Sequence, residues 1–119
     1  MSRDGSITLD WADGSHQFRL AWGELIQLQE VCDAGPLVIY ARLGSGQWRL
    51  NDIREPIRLG LIGGGATPDS ALKLVRNYVE ARPPLENVAL ARAIVGAATI
   101  GASDEDPGEA PAAPETETA

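Results

Sequence analysis

The sequence predicts an α+β fold that is mainly α, with an N-terminal β-hairpin packed on a small bundle of about four to five helices. Apolar residues alternate with polar ones on both sides of Asp13-Gly14, as in paired strands. Most of residues 22–101 instead carry apolar residues at helical spacing, and glycine or proline clusters separate these segments. A single domain is therefore expected over residues 1–102.

The alternating residues predict the register of the hairpin. Asp-Gly favours a two-residue loop, and the apolar side chains on both strands then fall on one face. The expected pairs are Trp11 with His16, Leu9 with Phe18, and Ile7 with Leu20. Because an isolated hairpin is marginally stable in water, this face should pack on the helices.

Two helices should follow the hairpin. The first spans residues 22–32, where Leu25, Leu28 and Cys32 form an apolar stripe, and Trp22 at its start is expected to pack in the core between hairpin and helices. Pro36 suits the first position of the second helix, which should reach about Leu43. We expect a loop over residues 44–46 and a short extended piece over residues 48–50.

A third helix should begin with Asn51 or Asp52 as its cap and end at three consecutive glycines. Its apolar seam includes a glycine, which would let another helix approach closely. The seam positions are Ile53, Ile57, Gly60 and Leu61.

Thr67 and Pro68 are typical of the start of a fourth helix. After the break at Pro83-Pro84, the last helix spans about residues 85–101 and is apolar nearly all round. We expect it to be central to the bundle or covered by a partner protein.

Residues 58–68 permit a competing interpretation as a strand, a phosphate-binding loop and a helix. However, Gly65-Ala66-Thr67 lacks the Walker lysine, the glycine spacing does not match the dinucleotide fingerprint, and Pro68 lacks an amide that a phosphate would use. We therefore favour a glycine corner between two helices, and we expect no cofactor.

Most of the net negative charge comes from the last seventeen residues of the sequence. Net charge is −7, from 10 basic and 17 acidic residues, yet residues 103–119 contain six of the acids, three prolines and no base. This composition predicts a disordered acidic Ala/Pro/Glu tail. The first 102 residues are nearly neutral, so neither part has the clustered bases of a nucleic-acid surface.

No catalytic or metal constellation is evident. His16 and Cys32 are the single imidazole and thiol, while Asp52 and Glu55 are explained by helix capping. We therefore expect a protein that is not an enzyme. The lone cysteine and the absence of a signal-peptide pattern favour a cytoplasmic protein. The absence of an apolar run of roughly 20 residues indicates that it does not bind a membrane.

Residues 6–101 resemble the small tail proteins of gene transfer agents and their phage relatives, which are described both as tail tube proteins and as tail assembly chaperones. Residues 57–65, Ile-Arg-Leu-Gly-Leu-Ile-Gly-Gly-Gly, carry the most specific part of the resemblance. The other matching pieces are Phe18-Arg19-Leu20, Gly23-Glu24-Leu25, Thr67-Pro68 with Ala71, Tyr78-Val79, Pro84-Leu85, and the last helix.

The resemblance implies a tail assembly chaperone that binds the tape-measure protein and assists tail-tube assembly. The alternative is a structural tail-tube or tail-terminator subunit. A mainly helical module fits the chaperone better, because a tube subunit needs long strands. Self-association stays open. The predicted partner-binding residues are Trp48, Leu59, Leu61, Ile62, Gly63, Gly64 and Gly65.

Overall fold

Two antiparallel strands come first in the computed structural model, and five α-helices follow. The structure describes residues 4–101, so the predicted tail at 103–119 lies outside the described residues. The elements are β1 (Ile7–Trp11), β2 (Gly14–Phe18), α1 (Trp22–Cys32), α2 (Pro36–Ser45), α3 (Leu50–Gly63), α4 (Pro68–Val75) and α5 (Val88–Thr99). The predicted fold class, α+β and mainly α, is confirmed.

The hairpin has a different register from the predicted one. Its pairs are Ile7 with Phe18, Leu9 with His16, and Trp11 with Gly14. The loop is Ala12-Asp13, with φ 58 at Ala12. β2 ends at Phe18 because the next amide, that of Arg19, donates to the Gly60 carbonyl of α3 (N···O 2.9 Å). The shift of two residues keeps the same side chains on the buried face.

The predicted helices are present, with different bounds at two places. The helix α2 continues to Ser45, because Gly46 is the residue that takes the left-handed conformation (φ 81). The predicted extended piece at residues 48–50 is wrong at Leu50, which begins α3. The N-cap is Arg49; Asp52 lies in the first turn and accepts a hydrogen bond from the Arg49 amide (2.8 Å).

The last helix is central, as predicted. It packs against α2 and α3 and buries Ala91, Ile94, Val95 and Ala97. It begins at Val88, after a 3₁₀ turn over Pro84–Asn87. Gly60 of α3 lies where a Cβ would be 3.2 Å from Ile94 Cγ2, which confirms the expected close approach. Trp22, expected in the core, is 81% exposed at the start of α1.

The glycine corner joins two helices. Gly63 is the last residue of α3, Gly65 has φ 117, and the Thr67 hydroxyl accepts a hydrogen bond from the Ser70 amide (3.1 Å) at the start of α4. The phosphate-loop interpretation is therefore wrong, because the segment that it required as a strand is helical.

Candidate functional site: a groove along the last helix

The outward face of α5 forms an apolar groove of about 410 Å³. Its floor consists of small residues one helical turn apart, including Ala89, Ala93 and Gly96, and its walls include Ile7 of β1 and Tyr40 of α2. Small side chains leave the helix backbone accessible to an approaching segment. We call this surface the α5 groove.

Tyr40 is held in place by contacts on two sides. The Arg92 guanidinium carbon lies 4.1 Å from the centre of the Tyr40 ring. On α5, a Cβ added to Gly96 would lie 2.9 Å from Tyr40 Cε1. Among the described residues that line the groove, Arg92 is the one with a charged side chain, and no ion pair within residues 4–101 holds it.

A second cleft continues from the end of the α5 groove towards α1. Trp22 lines this cleft, and Ile100 lines both the cleft and the groove. Trp22 is 81% exposed and Ile100 is 66% exposed, so two large apolar side chains face solvent at the same end of α5. Exposed apolar surface of this kind marks interaction sites, and tryptophan is enriched where binding energy is concentrated.

The partner-binding residues predicted from the sequence do not line this groove. Leu59 and Leu61 are 1% and 2% exposed, so packing within the chain accounts for both side chains. Trp48, Ile62, Gly63 and Gly64 are partly buried, and Gly65 is exposed. Their role in partner binding stays a prediction.

The groove was not predicted from the sequence, although a signal for it is present. Ala89, Ala93, Gly96 and Ile100 are spaced so that they share one face of a helix. Because the opposite face is also apolar, the pattern alone does not show which face the bundle covers.

A cluster of buried charges lies at the start of α3. Glu55 is buried and accepts hydrogen bonds from both Arg54 and Arg58; its Oε1 is 2.7 Å from Arg58 Nη2. Burial alone would raise the pKa of Glu55, but the hydrogen bonds and charges of Arg58 and Arg54 outweigh it and hold the pKa below its usual value. Because the two arginines neutralise and hydrogen-bond the buried carboxylate, a role in stabilising the fold explains this cluster without a ligand.

Asp52 belongs to the same buried region. It is fully buried, and its Oδ1 lies 3.6 Å from Arg42 Nη1, which is an ion pair rather than a hydrogen bond. The neighbouring Cys32 thiol is also buried. Burial first, and then the charge of Asp52, raise the pKa of Cys32 to about 12. The thiol is therefore protonated and unreactive at neutral pH.

His16 lies beside the hairpin loop, where its Nε2 is 2.7 Å from Asp13 Oδ1 and its ring contacts Trp11. Within residues 4–101, no three His, Cys, Asp or Glu side chains are grouped so as to hold a metal ion. Over the same range, no helix has the length and apolar character that crossing a bilayer requires.

Comparison with known proteins gives one finding. A family model described as "Phage tail tube protein, GTA-gp10" matches residues 4–101, the range that contains every strand and helix above. No curated protein and no solved structure matches the chain.

Proposed function

Because the chain belongs to the phage tail tube protein family of gene transfer agents, we propose that it helps to build a phage-like tail by binding an apolar helix of another tail protein in the α5 groove. The observation that carries this proposal is the exposure of Trp22 and Ile100 beside a small-residue floor. Binding of this kind requires no catalytic step, so the protein acts as a non-enzymatic binding module.

The shape of the groove suits a helix. Its floor follows α5 from Ala89 to Ile100, about 17 Å at 1.5 Å per residue. An amphipathic helix of three turns would place apolar side chains at i, i+3, i+4 and i+7 along such a floor. Ile100 and Trp22 at one end would cover the last turn of the bound helix.

The partner that we propose is the tape-measure protein, with the tail-tube proteins as further partners. A chaperone of this type covers apolar helical stretches of its partner in the bacterial cytoplasm until the tail assembles. The small two-stranded sheet within residues 4–101 supports this role, because it offers little strand length for a tube wall.

A structural tail-tube or tail-terminator subunit is the second candidate. The description of the matching family, a tail tube protein, favours it over the chaperone. The two roles differ in the finished particle: a tube or terminator subunit stays in it and forms rings, whereas a chaperone is absent from it. Mass spectrometry of purified particles and electron microscopy of the purified protein separate these roles.

Binding is tested by co-purification with the tape-measure and tail-tube proteins. Ile100→Ser and Trp22→Ser should weaken binding at least tenfold, because each removes a large exposed apolar side chain from the groove region. Leu37→Ser and Leu85→Ser are matched controls, since both leucines are similarly exposed and lie outside it. Equal binding by all four variants would contradict the assignment of the groove.

A further inference from the structure

The α5 groove has two walls that differ in their chemistry. On the β1 side the wall is the apolar side chain of Ile7, whereas on the α2 side the Arg92 guanidinium lies against Tyr40. Within residues 4–101, the Arg92 side chain has neither an ion pair nor a hydrogen bond. Among the residues that line the groove, a positive charge with available N–H donors therefore lies along the α2 wall alone.

The surface of α2 holds the Arg92 side chain in this position. Its guanidinium carbon lies 4.1 Å from the centre of the Tyr40 ring. One helical turn farther along α2, a Cβ added to Gly44 would lie 2.8 Å from Arg92 Nε and 3.1 Å from its Nη2, so the guanidinium lies directly against glycine backbone. Contact through the face of the guanidinium leaves the N–H groups at its edge available to an acceptor.

We propose that Arg92 selects the helix that binds in the α5 groove by pairing with a carboxylate on it. The partner is then an amphipathic helix that carries Asp or Glu on the border of its apolar stripe facing α2. Arg92 is suited to this task because its planar guanidinium can donate two parallel hydrogen bonds to one carboxylate. The inference rests on the proposed function and adds which helix the groove accepts.

The position of Arg92 also defines where the carboxylate lies. Arg92 and Ile100 are eight residues apart, which corresponds to about 12 Å along α5. The acidic residue should therefore lie roughly two helical turns from the apolar side chain that contacts Ile100.

The difference between the two walls selects the direction of the bound helix. If the same helix bound in the reverse direction, its acidic border would face Ile7 instead of Arg92. The carboxylate would then lose water without gaining a partner, which is unfavourable. One charged wall thus distinguishes the two directions that an uncharged groove would accept equally.

The test measures the affinity of the full chain for immobilised tape-measure protein at low salt. Arg92→Gln should weaken binding roughly threefold, because it removes the attraction, and Arg92→Glu roughly tenfold, because it adds repulsion. In about 0.5 M NaCl the difference between Arg92→Gln and the wild type should shrink.

Arg76→Glu is the matched control for Arg92→Glu. Both arginines are exposed, and Arg76 has no ion pair within residues 4–101 and lies outside the groove. The control makes the same change in net charge, so its affinity should stay within about twofold of the wild-type value. Both variants should keep the wild-type circular dichroism spectrum, because neither side chain is in the core.

A charge reversal on the partner identifies the carboxylate. When the acidic residues of the tape-measure protein are changed to lysine one at a time, one variant should bind Arg92→Glu more tightly than it binds the wild type. If no such variant is found, the pairing is wrong.

Two further outcomes separate this inference from the proposed function. Equal affinities of Arg92→Glu and Arg76→Glu, while Trp22→Ser still weakens binding, would overturn the role of Arg92 and leave the groove as the binding site. A wild-type protein that does not bind the tape-measure protein would contradict the proposed function itself.

Discussion

Gly63 lies directly against the backbone of Arg19: a Cβ added to Gly63 would be 1.9 Å from the Arg19 carbonyl oxygen. Gly64 approaches Gln17 in the same way, also at 1.9 Å from a carbonyl oxygen. The glycine corner is therefore the surface on which the end of the hairpin rests, and the absence of side chains there is as important as the turn itself.

Gly63→Ala or Gly64→Ala should destabilise the protein by roughly 3 kcal/mol, because the backbone of the hairpin must move to admit a methyl group. Chemical unfolding followed by circular dichroism measures the change. Gly23→Ala is the matched control, since nothing lies within 4 Å of its added Cβ, and its effect should stay within about 0.5 kcal/mol. Similar stabilities for all three variants would contradict this account of the corner.

Asn87 connects the hairpin to the start of α5. Its Oδ1 accepts a hydrogen bond from Trp11 Nε1 (2.9 Å), and its Nδ2 donates to the Tyr78 carbonyl (2.8 Å). Asn87→Ala should cost about 2 kcal/mol of stability, because it leaves part-buried polar groups without partners. Asn87→Asp retains the acceptor for Trp11 but places a buried carboxylate oxygen against the Tyr78 carbonyl, so it should cost at least as much as Asn87→Ala; a smaller loss would show that the bond to Tyr78 contributes little.

The pKa of Glu55 is lowered in the folded protein, which makes stability depend on pH in the acid range. The unfolded state then binds more protons, so this contribution is complete above the ordinary pKa of 4.5 and is lost as the pH falls through the lower folded value. Glu55→Gln should remove this dependence and cost about 2 kcal/mol at pH 7.

The control for that change is Glu86→Gln, because the ion pair of Glu86 with Arg82 (3.1 Å) is exposed. Urea unfolding between pH 3 and pH 7 compares the two variants with the wild type. If the stability of Glu55→Gln still falls at acid pH as much as that of the wild type, the pH dependence arises from other carboxylates and this prediction is wrong.

Cys32 should not react with thiol reagents in the native protein at pH 8, since its pKa is raised to about 12 by burial and by Asp52. Unfolding in guanidinium chloride should restore reactivity. Ala41→Cys provides an exposed thiol on α2 as a control. With this variant, native protein should react with one equivalent of reagent and unfolded protein with two; two equivalents in the native state would contradict the burial of Cys32.

Elements that depend on local chemistry could be predicted from the sequence. The bounds of α1 and the Thr67-Pro68 start of α4 follow from spacing and capping within a few residues. The hairpin was predicted for the same reason. Its register was not, because the bond between the Arg19 amide and the Gly60 carbonyl joins residues 41 positions apart in the chain.

The candidate site was harder to predict, since it depends on which faces the bundle covers. The apolar character of Trp22 favoured the core, but the core contact of α1 falls on Leu28 and Cys32. Leu59 and Leu61 were proposed for partner contacts and are buried. For α5, apolar on nearly every side, only the packing of α2 and α3 distinguishes a buried face from an open one.

The central position of α5 also bears on synthesis. A ribosome makes the N-terminal elements first, yet Ile94 and Val95, which lie at the middle of the core, are translated after both strands and four helices. The apolar faces of the hairpin and of the earlier helices therefore stay exposed on the nascent chain until α5 has been synthesised and can pack against them. A premature stop before Val88 would leave a polypeptide without the helix on which its other layers close.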